Sequence, residues 1–283
     1  MKVAIKLLIS ALLVYFVFSQ IDIQRLINSI KSINIFYYLL AFVLYNVSKI
    51  VSAIRLNFYF KEIGINLPIV QNLKLYYLGM FYNLFLPGGI GGDGYKAYLL
   101  KKHYKKKLAP ILKALLFDRV SGLVALIFLA SVLFIFSSYS ISPLKELNYI
   151  VLLTIYPIFY FVSKRYNIFF YYFKKTNLLG LAVQFLQLLS AVALIFALPQ
   201  ELPIIELLVL FLISSIVSVL PITIGGVGVR ELTFLYGLKF IGWNPDIGIA
   251  FSFLFFSITL LASLIGVLFL HKPMNIETIN SNL

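Results

Sequence analysis

Apolar residues run long enough to cross a bilayer at roughly 3–19, 35–54, 114–137, 147–163, 178–198 and 248–270. At about 1.5 Å per helical residue, each run covers most or all of a hydrocarbon core of ~30 Å. The run at 147–163 is the shortest and contains Pro157. Residues 21–34 carry Asp22, Arg25 and Lys31 among apolar positions, the pattern of a segment lying along the interface.

Two segments do not fit a plain span. Residues 74–101 and 204–241 each read as an apolar helix, then Leu-Pro and glycines, then a second apolar helix. Proline with several glycines ends a helix rather than bending it. The two breaks are nearly one phrase: 86–96 reads LPGGIGGDGYK and 220–230 reads LPITIGGVGVR, identical at six of eleven positions. The first limbs, 74–86 and 204–219, measure about 20 and 24 Å at helical rise, enough to bring each glycine loop to mid-bilayer depth.

Charge decides whether these segments cross or turn back. Seven lysines lie between Lys96 and Lys113, which marks that loop as cytoplasmic. If both segments are re-entrant hairpins, 17 basic residues fall inside and 5 outside. If both cross, Lys2, Lys6, Arg55, Lys61, Lys74 and Lys272 move outside, a poorer fit. The expected architecture is therefore an all-α polytopic membrane protein, one domain over residues 1–283. It has about six transmembrane helices plus two re-entrant helical hairpins. Three spans separate the hairpins, so they open to opposite faces as an inverted repeat, a transporter architecture. If both segments cross instead, the repeat is parallel.

Composition agrees: 61% of residues are hydrophobic and 12% charged, against about a quarter charged in soluble domains. The net charge of +14 sits in loops between apolar runs, so it reads as topology and anionic lipid contact, with no nucleic acid partner. Without cysteine there is no disulfide framework and no thiolate metal site. The amino terminus has a signal-like pattern but no small-x-small cleavage site, and is expected to be a retained span with both termini cytoplasmic.

Non-helical backbone at membrane depth is tolerated only where protein buries it or it lines a polar cavity. Each glycine loop also feeds a half-helix N-terminus, whose N–H groups and dipole favour a phosphate. Gly91, Gly92, Gly225 and Gly226, with Arg119, are thus candidates to receive one; the plain alternative is that the glycines only allow close packing. Asp93, Asp118 and Glu231 are acids in or beside the apolar core, a placement that usually marks function. Asp93 and Glu231 also read as first-turn caps. Asp118 and Arg119 point about 100° apart on a helix, so each needs its own partner; Arg119 can reach Asp93, Glu231 or a lipid phosphate. Arg230 precedes Glu231 at the second loop. Lys49 and Arg55 read as snorkelling side chains near the end of the second span.

Catalysis has little support. Residues 89–94, GIGGDG, match a dinucleotide fingerprint without the strand and βαβ unit it requires. No zincin, nucleophile-elbow or Walker motif occurs, and His103 and His271 lie too far apart in topology for a metal pair. Neither enzymatic activity nor a cofactor is expected.

Three segments, NLFLPGGIGGDGYKAYLL (83–100), LLFDRVSGL (115–123) and LPITIGGVGVRELTF (220–234), resemble the signature segments of flippase-like membrane proteins. That family includes the transmembrane region of lysylphosphatidylglycerol synthases and the UPF0104 group. The resemblance implies a bacterial or archaeal cell-membrane protein that translocates lipids. By motif, Asp93 matches the acid after Gly-Gly, Arg119 the arginine of Asp-Arg, and Glu231 the glutamate of Arg-Glu. The synthases continue into a soluble aminoacyl-transferase domain; this chain stops at Leu283, so aminoacylation is not expected. The expected partners are an anionic phospholipid or a polyprenyl phosphate, and a homo-oligomer is left open. Two other readings remain: a membrane enzyme or accessory factor for polyprenyl-linked sugars, and a proton-coupled carrier using Asp93 and Glu231.

Overall fold

In hydrocarbon a chain must satisfy its own backbone, and the computed structural model does so with helices throughout its described residues, 11–13, 15–20, 22–85, 91–199, 202–219, 223 and 226–270. The helices are α1 Ile23–Lys31, α2 Ile35–Glu62, α3 Ile69–Phe85, α4 Gly91–Tyr104, α5 Leu108–Ile135, α6 Leu144–Arg165, α7 Phe173–Ala197, α8 Ile204–Ser218, α9 Val229–Phe240 and α10 Pro245–Leu264. A 3₁₀ turn, Ile265–Phe269, extends α10. Asparagines start two of the long helices: the Asn34 side chain accepts from Phe36 N–H, and the Asn244 side chain from Asp246 N–H with Pro245 in the first turn.

Among the described residues, five helices are long and apolar enough to cross: α2, α5, α6, α7 and α10 with its extension. They occupy five of the six expected spans; most of the other, 3–19, lies outside the described residues. The helices outrun the apolar runs that announced them. α2 continues to Glu62 rather than residue 54, and α5 starts at Leu108 rather than 114. The extensions carry Arg55, Lys61 and Glu62 in α2 and Lys113 in α5. Pro157 does not break α6, which is largely exposed and packs mainly against α5.

The antiparallel pair α2/α7 has the most extensive contact in the bundle. At one end the Glu62 carboxylate accepts from Tyr172 N–H at 3.0 Å. At the other, Asn34 N–H donates to Ala197 C=O at 2.8 Å. Between them Ser190 Oγ donates to Ala41 C=O at 2.7 Å, a contact that small residues permit.

The two interrupted segments are hairpins. α3 and α4 fold back on each other: a Cβ at Gly92 would overlap the Gly79 carbonyl, and the Tyr82 and Tyr95 rings lie 4.2 Å apart. α8 and α9 do the same, with Gly237 against Leu210. The first hairpin follows Glu62 and so hangs from the Glu62–Tyr172 end of the α2/α7 pair. The second follows Ala197 and hangs from the Asn34–Ala197 end. Neither crosses, and they enter from opposite ends, so the parallel-repeat alternative is not the one adopted.

Two measurements check this architecture. The chain has no cysteine, so single cysteines at the exposed positions Lys102 and Phe240 can be labelled with an impermeant maleimide; they react from opposite faces of the membrane. Gly92→Ala forces α3 and α4 apart and lowers stability in detergent by roughly 1–3 kcal/mol, the usual cost of overpacking. Gly94→Ala, whose Cβ meets nothing within 4 Å, leaves thermal unfolding within about 0.5 kcal/mol.

Candidate functional site

The charged side chains inside the bundle form three groups. In the first, Asp93 sits in the opening turn of α4, yet its carboxylate does not cap that helix. Oδ1 accepts from Lys96 Nζ at 3.1 Å, and Oδ2 accepts from Arg119 Nε of α5. The cap comes from the other limb: Gly92 N–H donates to Asn83 Oδ1 at 2.8 Å. Lys96, expected in the cytoplasmic loop, is instead 6% exposed, with Nζ 4.6 Å from the centre of the Tyr76 ring.

The second group joins α2, α5 and α7. Arg55 Nε donates to Asp118 Oδ1 at 2.8 Å and Nη2 to the Asp118 carbonyl at 3.1 Å. Gly122 and Gly180 make room for the guanidinium: a Cβ at either would come within 3.3–3.4 Å of it. At 5% exposure Arg55 does not snorkel, contrary to the sequence expectation. Asp118 and Arg119 thus do have separate partners, as their angular separation requires, and Asp118 serves a three-helix junction.

In the third group, Glu231 reaches back to cap α9. Gly228 N–H donates to Oε2 at 2.6 Å, and Ser252 Oγ of α10 donates to Oε1 at 2.8 Å. Arg230 turns the other way, donating from Nε to Ser218 Oγ at 3.1 Å across the hairpin tip. Gly226 and Gly228 have φ of +80° and +89°, a turn that side-chain-bearing residues resist. A Cβ at Gly226 would also press on Ser218 Oγ at 2.6 Å. Gly225 lies outside the described residues. Asp93 and Arg119 therefore converge, whereas Glu231 is held elsewhere.

A cavity of about 210 Å³ lies between the hairpins. The first hairpin contributes Tyr76, Met80, Asn83 and Leu84; the second contributes Ser218 and Arg230. Tyr45 and Lys49 of α2 form another wall, and Phe256, Thr259 and Ser263 form the last. Lys49 is near the midpoint of α2, about 20 Å from either end at helical rise. Its Nζ rests 4.2 Å from the Tyr45 ring centre. Neither Lys49 nor Arg230 forms an ion pair among the described residues, and no carboxylate lines the cavity. A larger cleft, of about 630 Å³ at the Asn34–Ala197 end, has no ionisable lining. No cluster of three metal-ligating side chains occurs among the described residues.

The arrangement shifts the expected anion-binding groups. The N–H groups of Gly92 and Gly228 are already satisfied by Asn83 and Glu231. The cations lining the cavity between the hairpins are Lys49 and Arg230. The Arg55–Asp118 pair has a sharp expectation of its own. Asp118→Ala strands a buried cation and costs about 3–5 kcal/mol in detergent unfolding, while Arg55→Met/Asp118→Leu together costs less than either single change.

The sequence profile of the family described as Lysylphosphatidylglycerol synthase TM region matches residues 3–266. A UPF0104 membrane protein of Methanocaldococcus jannaschii is 29% identical over 155 residues, covering 53% of this chain and 45% of that protein. A UPF0104 membrane protein of Pyrococcus horikoshii is 26% identical over 143 residues, covering 48% of this chain and 42% of its own length. Each of these matches spans less than half of the relative. The profile match runs through both hairpins, the Asp118-Arg119 pair and all five spanning helices, and the chain belongs to the lysylphosphatidylglycerol synthase TM region family.

Proposed function

We propose that this membrane protein translocates lipids, receiving an anionic headgroup in the cavity between its hairpins. One observation carries the reading: two half-crossing hairpins from opposite ends meet at a partly open cavity whose largely apolar lining includes the cations Lys49 and Arg230. A polar headgroup meets its main barrier at the bilayer centre, where no water solvates it. Cationic side chains at that depth would lower the barrier while the acyl chains stay in lipid. Each hairpin would close one side of the cavity, so a rocking motion of either would expose the site to one face at a time.

The carboxylates fit this scheme as ties rather than ligands. Asp93 fastens the first hairpin to α5 through Arg119, and Glu231 fastens the second to α10 through Ser252. The lysine-bearing turn between α4 and α5 would face the cytoplasm, in a cell membrane, with both termini on that side. The protein would act as a transporter without chemistry on its substrate.

The test uses purified protein in proteoliposomes, with fluorescent lipids whose outer-leaflet fraction is bleached by an impermeant reductant. Wild type equilibrates an anionic lipid between leaflets; Lys49→Ala and Arg230→Ala slow this about 10–100-fold, since a charge-assisted hydrogen bond contributes about 1.5–3 kcal/mol. Wild-type rates no faster than protein-free vesicles, across anionic, zwitterionic and neutral lipids, would falsify the reading.

A further inference from the structure

The turn between α6 and α7 collects cations of one sign. Lys164 and Arg165 end α6, Lys174 and Lys175 open α7, and Lys61 lies near the end of α2. The acid beside them is Glu62, whose carboxylate accepts from Tyr172 N–H at 3.0 Å. Five cations against that one carboxylate give the group a net charge of +4. None of the five forms an ion pair among the described residues. Lys61 and Lys175 share one ring, with Nζ atoms 5.3 and 5.8 Å from the centre of Phe58. Stabilising the helix does not account for Lys174 and Lys175. They occupy the first turn of α7, which carries no acid, at the end where the dipole disfavours a cation.

A cavity of about 510 Å³ lies at the same turn. The less exposed part of its lining is aromatic: Tyr160, Phe170 and Phe173 pack together with ring centres 5.6, 5.6 and 5.7 Å apart in pairs. Lys174 and Lys175 complete the lining with Tyr171, and all three are exposed. From Lys174 the exposed side of α7 continues through Leu178, Phe185 and Leu189, which share one helical face. α7 is a spanning helix, so this stripe faces hydrocarbon. Cations, a ring-lined cavity and an apolar stripe thus follow one another from the helix end inward.

We infer that the α6–α7 turn binds a phospholipid of net negative charge, at a site separate from the cavity between the hairpins. Its phosphate lies at Lys174 and Lys175, its glycerol backbone against the aromatic rings, and an acyl chain along Leu178 and Phe185. A soluble anion matches the lysines and leaves the stripe unused. A zwitterionic lipid matches the stripe but brings an ammonium group to five cations. The rings do not offset that repulsion, because those of Tyr160 and Tyr172 already have Lys164 and Lys175 Nζ at 5.8 and 5.9 Å. Basic segments beside a membrane attract anionic lipid in general; the cavity and the stripe below it make this turn a site. The inference is independent of the transport reading, since it concerns occupancy of a different surface.

The chain has one tryptophan, Trp243, in the turn between α9 and α10. Trp243→Phe with Leu178→Trp moves the fluorophore to one turn below Lys174. The full-length variant is reconstituted in mixed phosphatidylcholine and phosphatidylglycerol vesicles, with one lipid or the other brominated on its acyl chains to quench nearby tryptophan. Quenching shows phosphatidylglycerol enriched about fivefold over its share of the membrane. Adding Lys174→Gln and Lys175→Gln brings the enrichment below about twofold, and adding Lys174→Arg and Lys175→Arg retains it. Lys101→Gln with Lys102→Gln, which removes the same charge from the same end of the bundle, leaves it unchanged. No enrichment overturns the inference, as does enrichment that survives the glutamine pair at 174 and 175. An equal loss in the 101 and 102 pair also overturns it, by showing a diffuse potential in place of a site. Glycerol 3-phosphate that relieves quenching as well as unbrominated phosphatidylglycerol does would remove the lipid and leave a phosphate site.

Discussion

A helix that stops halfway through a bilayer leaves its terminal N–H groups where no water can reach them. The protein answers this twice, by different means. In the first hairpin, Asn83 on the descending limb accepts from Gly92 at the start of the ascending one. In the second, Glu231 bends back to its own helix start at Gly228. Each bond satisfies a backbone donor at a hairpin tip, beside the cavity between the two hairpins.

The two solutions differ in what they leave free. Because Asn83 does the capping in the first hairpin, Asp93 can reach across to α5 and take Arg119, whose side chain is 32% exposed. Because Glu231 does its own capping, its remaining oxygen goes to Ser252, and the carboxylate is 2% exposed. Arg230 is thereby released toward Ser218 and the cavity. The acid precedes the basic residue in one copy of the motif and follows it in the other. That order decides which charge is spent on structure and which faces the cavity.

The duplicated glycine phrase made the hairpins legible, because Leu-Pro followed by glycines cannot continue a helix in either copy. The lysine distribution made their opposed entry legible, since only that arrangement keeps most basic residues on one side. Side-chain roles were harder to read. Asp93 with Arg119 is the kind of pair that spacing across two helices suggests. Arg55 with Asp118 is not, because nothing local relates residues 63 positions apart. Asn83 carries no signal beyond its position before a break, and its function exists only once the limbs are folded together.

The position of the cavity at the tips of two half-length hairpins has an electrical meaning. A group bound there has crossed roughly half of any potential across the membrane. Carrying one elementary charge the whole way is worth about 2.3 kcal/mol per 100 mV. A dianion moving halfway experiences about the same energy as a single charge moving across. A resting potential of that size would therefore change occupancy of the site from one face relative to the other by well over tenfold. On the reading proposed above, a membrane voltage would bias which face loads the site.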